Sequence, residues 1–197
     1  MATTFYLIRH AAHGLLGHTL VGRMDGVSLS EEGRRQSERL ADRLQSAGLV
    51  ALYSSPLARA RETAAAIAAR TGVTVEIAPA ANEFDFGAWT GKSLEALERD
   101  PLWRHFNVFR STVAAPGGES MLDVQQRVVG LMRDLRAKHA EAAVAIVAHG
   151  DVVRAAILHF LGVPLELFRR VEIAPASISI VEIDDWGACL TLLNDEP

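Results

Sequence analysis

The chain has 197 residues, 49% hydrophobic and 22% charged, with a formal net charge of −4. That length and composition suit one globular domain with a sizeable core, and the mild acidity argues against nucleic acid, which selects a basic surface. The single cysteine, Cys189, excludes an internal disulfide and points to a reducing compartment.

A first apolar, β-prone run, Phe5 to Ile8, ends abruptly in Arg9 and His10. It begins too early to leave room for a secretory leader, and no run is long and apolar enough to span a bilayer, so a cytoplasmic protein with no membrane partner is expected. A glycine-rich loop follows to Gly26. Ser30 is placed to cap a helix in which Leu40, Leu44 and Ala47 recur at helical spacing, and Gly48 stops it. Leu49 to Tyr53 reads as a second strand. Ser55 with Pro56 then predicts an N-cap and first helical position, for a helix running to about Arg70. Val73 to Ile77 is a third strand.

Residues 82–118 show no long period but hold Phe84, Phe86, Trp89, Trp103, Phe106 and Phe109. They are expected to form a lid or subdomain whose rings pack over the sheet edge. Ser120 and Asp123 resemble a capping box opening a long helix, with Leu122, Val128, Val129, Met132 and Leu135 on its apolar side. Ala143 to Ala148 is a fourth strand, followed by His149-Gly150 and a helix from Asp151 to about Leu161. Two strands, Ile178 to Ile183 and Ala188 to Leu193, close the chain, with Cys189 read as a small buried hydrophobe. The alternation predicts a single α/β domain over residues 1–197, a three-layer α/β/α sandwich around a mostly parallel sheet.

In an open α/β sheet, ligands bind beyond the carboxyl ends of the strands. Arg9 and His10 after the first strand and His149 after the fourth would therefore meet at one edge. Metal-free phosphoryl transfer needs a nucleophile, cations for the phosphoryl oxygens and a proton donor for the leaving group. His10 is a candidate nucleophile, kept unprotonated by its cationic neighbours. Arg9 offers a guanidinium that matches phosphate, and Arg59, early in its helix, should lean back toward the same edge. Read alone, an arginine such as Arg59 is more often a solvated surface cation.

These residues carry a resemblance. Leu7-Ile8-Arg9-His10, Leu29 to Gln36, Ser54 to Ala64, Asn82 to Gly91, Gly117 to Ser120 and Val147 to Gly150 occur in the order seen in the histidine phosphatase superfamily. The chain resembles that phosphoglycerate mutase-like family across most of its length, and Gly150 after the second histidine places it with the mutases and small phosphatases. The resemblance implies a phosphoglycerate mutase-like fold. It makes His10 the phospho-accepting nucleophile, with Arg9, Arg59 and His149 forming the phosphate pocket. Glu83 would be the proton donor and then the base, which requires a raised pKa that cover by Phe84, Phe86 and Trp89 would supply. Ala11 departs from the usual glycine, and it fits only if the backbone there keeps a negative φ. His13 and Leu16 stand where many relatives carry threonine and asparagine, so His13 is a candidate substrate contact. Arg23 is a second, by analogy with a subgroup of small bacterial enzymes.

The function expected is hydrolysis of a small phosphorylated metabolite through a phosphohistidine, with no cofactor and no metal. A cofactor-dependent phosphoglycerate mutase is the first alternative. Its long insertion with paired arginines is missing here, where the interval offers only scattered Arg104 and Arg110. A non-catalytic phospho-ligand binder is the second, and a metal hydrolase on His10, His13 and His149 a third. The C-terminal strands offer an edge on which a homodimer could pair.

Overall fold

The computed structural model describes residues 2–197. Six strands form one sheet in the order β3-β2-β4-β1-β5-β6. They are β1 (Thr3–Arg9), β2 (Leu49–Ser54), β3 (Val75–Ile77), β4 (Ala143–Ala148), β5 (Ile178–Ile183) and β6 (Ala188–Asp195). β1 to β4 are mutually parallel, and β5 is antiparallel to both its neighbours, β1 and β6. The expected mostly parallel α/β architecture is present.

The apolar runs in the two central strands are continuous because both faces of the sheet are covered. Successive side chains alternate between the layers. Phe5, Leu7, Val144 and Ile146 point into one cluster, with Val124, Val128 and Met132 of α5 (Met121–Lys138) and Val152, Val153 and Ala156 of α6 (Gly150–Phe160). Ile8, Ala145 and Val147 point into the other, against Leu40 and Leu44 of α1 (Glu31–Leu44) and Ala60, Ala64 and Ile67 of α2 (Ala58–Thr71). Two short helices, α3 (Leu94–Glu98) and α4 (Pro101–Val108), lie within the segment read as a lid or subdomain. Its Phe84, Phe86, Trp89 and Phe106 are buried in the first cluster together with sheet residues. Phe84 stacks on Phe86 at 4.5 Å, and Phe106 meets Trp89 edge-on at 5.1 Å.

Several local expectations hold. Ser30 accepts a hydrogen bond from the Gly33 N–H at the start of α1, and Ser120 and Asp123 form the reciprocal capping box of α5. Three need correction. α2 begins at Ala58 with Leu57, not Ser55, as its N-cap and no side-chain cap; the Ser55 hydroxyl reaches the Leu57 N–H only at 3.4 Å and sits closer to a histidine (below). Leu122 is 40% exposed rather than inward, since the buried stripe of α5 runs through Met121, Val124 and Val128. Cys189 is exposed, because β6 is an edge strand with little packed over it.

Candidate active site

The parallel register decides what meets at the sheet edge. Arg9 pairs with Ala148 and Ser54 with Val147, so the residues that follow, His10, His149 and Ser55, emerge side by side. The amide of His10 still donates to the Ala148 carbonyl at 2.9 Å, and that of Ser55 to Val147 at 2.9 Å. Their side chains therefore leave from rigid strand ends. The rings of His10 and His149 lie 5.0 Å apart, edge to face.

The loop after His10 is pinned from two helices. The Ala11 N–H donates to Thr63 Oγ1 on α2 (3.1 Å), and the Ala12 N–H to Gln36 Oε1 on α1 (2.9 Å). The Ala12 carbonyl accepts from the Ser30 amide and hydroxyl. Gly33 is required by this closeness: a Cβ there would sit 1.9 Å from the Ala12 oxygen. Ala11 is fully buried and does not have a positive φ, so its methyl fits where a glycine is usual.

His10 Nδ1 lies 2.8 Å from the Ala11 carbonyl, which can only accept, so Nδ1 carries the proton and Nε2 presents a lone pair. Arg59 Nε donates toward that lone pair at 3.3 Å. Burial, and then the charges of Arg59 and Arg9, hold the His10 pKa well below the ordinary imidazole value. The ring is neutral and nucleophilic at neutral pH.

Arg59 is fully buried, not a solvated surface cation. One terminal nitrogen donates to the Gly22 carbonyl at 2.7 Å and to His149 Nδ1 at 3.3 Å. Its other terminal nitrogen, and Nε of Arg9, are buried with no acceptor among the described residues. Arg9 is held by one bond, to the Ile173 carbonyl at 2.6 Å. A buried donor left unpaired costs about 1–3 kcal/mol. Two on adjacent guanidiniums mark a place built for an anion.

His149 Nδ1 accepts from Arg59, so its Nε2–H donates to Ser55 Oγ at 2.7 Å, and that hydroxyl reaches Asn82 Oδ1 at 3.4 Å. Burial first, then the fields of His10 and Arg59, hold His149 neutral as well. Asn82 in turn accepts from the Glu83 N–H at 2.8 Å, which ties the second histidine to the acid.

The Glu83 carboxyl has one oxygen on the Phe84 N–H (2.8 Å) and the other 3.5 Å from His149 Nδ1 and 4.0 Å from Arg59. Burial pushes its pKa from 4.5 to about 7, and the Asp151 charge adds to the rise. These outweigh the opposing pull of Arg59 and Arg9. Its backbone is clamped: Arg23 Nε and a terminal nitrogen of Arg127 both donate to the Glu83 carbonyl, at 2.9 and 3.1 Å. Glu119 bridges the two arginines and also accepts from the Asp85 N–H.

Arg23 therefore departs from expectation. It does not border the cavity at His10, since its guanidinium is committed to the Glu83 carbonyl, Asp85 and Glu119. It supports the acid from behind. His13 does line this cavity of about 220 Å³, with Arg9, His10 and Glu83. Its ring is 5.5 Å from that of His10, and burial with the charges of Arg59 and Arg9 lowers its pKa to about 4. Nδ1 accepts from the Leu15 N–H, which leaves a neutral ring with its other N–H for a ligand.

His10, Glu83 and His149 place ligating atoms within 4.8 Å of one another, a spacing a divalent cation would accept. His13 is not in that set. Arg59 lies against both imidazoles, so a dication would be held beside a fixed positive charge. The set suits an oxyanion better. Sequence reasoning missed Ser55 as the partner of His149, Asp151, and the Arg127–Glu119 clamp. Of these, Ser55 and Glu119 lay in blocks that were singled out, Asp151 and Arg127 in none.

The sequence profile of the histidine phosphatase superfamily (branch 1) matches residues 5–196. Phosphoserine phosphatase 1 of Hydrogenobacter thermophilus is 33% identical over 198 aligned residues, covering 95% of this chain and 90% of that protein. A probable phosphoglycerate mutase of Yersinia pestis is 29% identical over 91% of this chain and 85% of its own length. Among solved structures, a mycobacterial glucosyl-3-phosphoglycerate phosphatase superposes with a TM-score of 0.89 at 27% identity, covering 98% of this chain and 99% of that one.

Proposed function

Since this chain belongs to the histidine phosphatase superfamily, branch 1, we propose that it hydrolyses a small phosphorylated metabolite through a phosphohistidine at His10, with no metal. It is a phosphatase-type hydrolase of that family; the route and the residue roles are our reading. In the first step the lone pair of His10 Nε2 attacks phosphorus and the ester P–O bond breaks. The Glu83 carboxyl proton passes to the departing oxygen. In the second, Glu83 takes a proton from water, whose oxygen attacks phosphorus. The P–N bond then breaks, returning His10 Nε2 and inorganic phosphate. Arg9, Arg59 and His149 balance charge on the phosphoryl oxygens, and His13 supplies a further N–H.

What supports this most is one arrangement: a neutral imidazole whose lone pair meets the Arg59 guanidinium, with Arg59 and Arg9 each keeping a buried N–H that has no acceptor among the described residues. A carboxyl with a pKa of about 7 beside it is poised for both halves of the proton exchange. The phosphatase relatives favour hydrolysis over mutation. The test is release of inorganic phosphate from p-nitrophenyl phosphate and a panel of phosphorylated metabolites, with and without a chelator. We expect turnover that a chelator leaves intact and that His10→Ala abolishes. Isomerisation of 3-phosphoglycerate in the presence of its bisphosphate cofactor, without phosphate release, would favour the mutase; binding of vanadate with no turnover would favour a binder.

A further inference from the structure

Residues 171–177, just before β5, run alongside Arg9 and His10 and are laced to them through main-chain groups. The Ala176 N–H is shared between the Arg9 and His10 carbonyls (3.2 and 3.3 Å), and the Ser177 carbonyl accepts from the Arg9 N–H at 3.2 Å. At the other end of the segment, the Val171 carbonyl accepts from Arg154 Nε at 2.7 Å. Between these ties lies the peptide group that joins Ile173 to Ala174. Its oxygen is the acceptor for Arg9 Nη1, at 2.6 Å. Its N–H donates to Asn194 Oδ1, also at 2.6 Å.

A trans peptide group is planar, so its oxygen and its N–H point in opposite directions and turn together. The group that holds the Ala174 N–H therefore aims the oxygen that holds Arg9. Hydrogen bonds in series also polarise one another, which makes the Ile173 carbonyl a stronger acceptor. The buried Arg9 Nε–H, which has no acceptor among the described residues, belongs to the same planar guanidinium. Its direction is set by the same carbonyl.

Asn194 is itself kept in an uncommon backbone conformation. β6 carries an extra residue here, since Ile178 pairs with Asp195 but Ile180 with Leu192. At this bulge Asn194 has φ +54°, a left-handed value that few residues other than glycine adopt. Its own N–H donates to Ser179 Oγ at 3.1 Å, which fixes the bulge. Glycine would suit the backbone better, and what asparagine adds is the acceptor for Ala174.

We propose that Asn194 is a positioning residue for the phosphate pocket: through the Ile173–Ala174 peptide it aims the Arg9 guanidinium at the bound phosphoryl group. The last strand thereby acts on the site without touching substrate. The proposal rests on the reading of Arg9 as a phosphate ligand given above.

The test measures vanadate binding by titration calorimetry and kcat/KM for p-nitrophenyl phosphate. It compares the wild type with Asn194→Gly, Asn194→Asp, Arg9→Met and the Arg9→Met/Asn194→Gly double variant. Glycine accepts the left-handed backbone but removes the acceptor, and should weaken vanadate binding and lower kcat/KM by about 5- to 10-fold. Aspartate restores an oxygen at the same place and should recover most of that loss. In the Arg9→Met background the same glycine substitution should change neither quantity by more than about twofold, because the guanidinium it acts through is gone. Calorimetric stoichiometry counts folded sites, so partial unfolding is read apart from affinity. Unchanged vanadate affinity in Asn194→Gly, or a loss of the same size with and without Arg9, would overturn the proposal. The expected vanadate pattern with no turnover of any ester would overturn the phosphatase reading alone; no vanadate binding by the wild type would overturn both.

Discussion

Glu83→Gln should make the ligand-free protein more stable above neutral pH, although it removes the proposed proton donor. The folded carboxyl holds its proton up to about pH 7, against an ordinary value of 4.5. The folded state therefore binds a proton that the unfolded chain has already released, and stability falls as pH rises through that window. At about 1.36 kcal/mol per pH unit, the cost to the wild type is roughly 1.4 kcal/mol at about pH 5.5 and about 3 kcal/mol at about pH 8.5. Glutamine has nearly the shape of the protonated acid and titrates in neither state, so its difference from wild type should grow by about 2 kcal/mol between those conditions. Urea unfolding of both proteins at the two pH values, in buffers free of phosphate and sulfate, measures it. A matching rise in Tm of several degrees is expected near pH 8.5. A Glu83→Gln protein no more stable than wild type at the higher pH, or a difference that does not vary with pH, would refute the claim that burial governs this carboxyl.

Three further outcomes follow from the same geometry. The kcat/KM profile should lose its alkaline limb near pH 7 on going to Glu83→Gln, because the proposed first step uses protonated Glu83. His10 and His149, held neutral far below that range, should add no inflection between pH 6 and 8. Ser55→Ala removes the acceptor of the His149 Nε2–H and should lower kcat by roughly 10-fold with the fold intact, read by activity and circular dichroism together. Gly33→Ala places a methyl on the Ala12 carbonyl and should destabilise the protein by about 2 kcal/mol or more while displacing the loop after His10, visible as a fall in both Tm and vanadate affinity.

The strands were legible because each central one is buried on both faces, which leaves an unbroken apolar run ending in a charged pair. That pattern located His10 and His149, and the parallel register made them neighbours. Arg59 was legible only through its motif, since helical spacing does not distinguish a buried guanidinium from a solvated one. Ser55 was misread for a physical reason: a serine followed by proline satisfies local capping rules, and only the approach of β4, 94 residues away in sequence, offers its hydroxyl a stronger partner. The contacts of Arg23 were hidden for the same kind of reason. Its motif position was informative, but the carboxylates of Asp85 and Glu119 that capture it come from distant loops. The raised pKa of Glu83 was anticipated from aromatic cover, whereas the part due to Asp151 depends on a long-range juxtaposition.

The account stands most directly on the phosphorylation of one nitrogen. Wild-type protein, mixed with p-nitrophenyl phosphate and quenched in alkali within milliseconds, should gain the mass of a single phosphoryl group. Phosphorus NMR and peptide mapping should place it as an acid-labile phosphoramidate on Nε2 of His10, and His10→Ala should show none. Turnover with no phosphoramidate at any quench time, or a label on another residue, would contradict it.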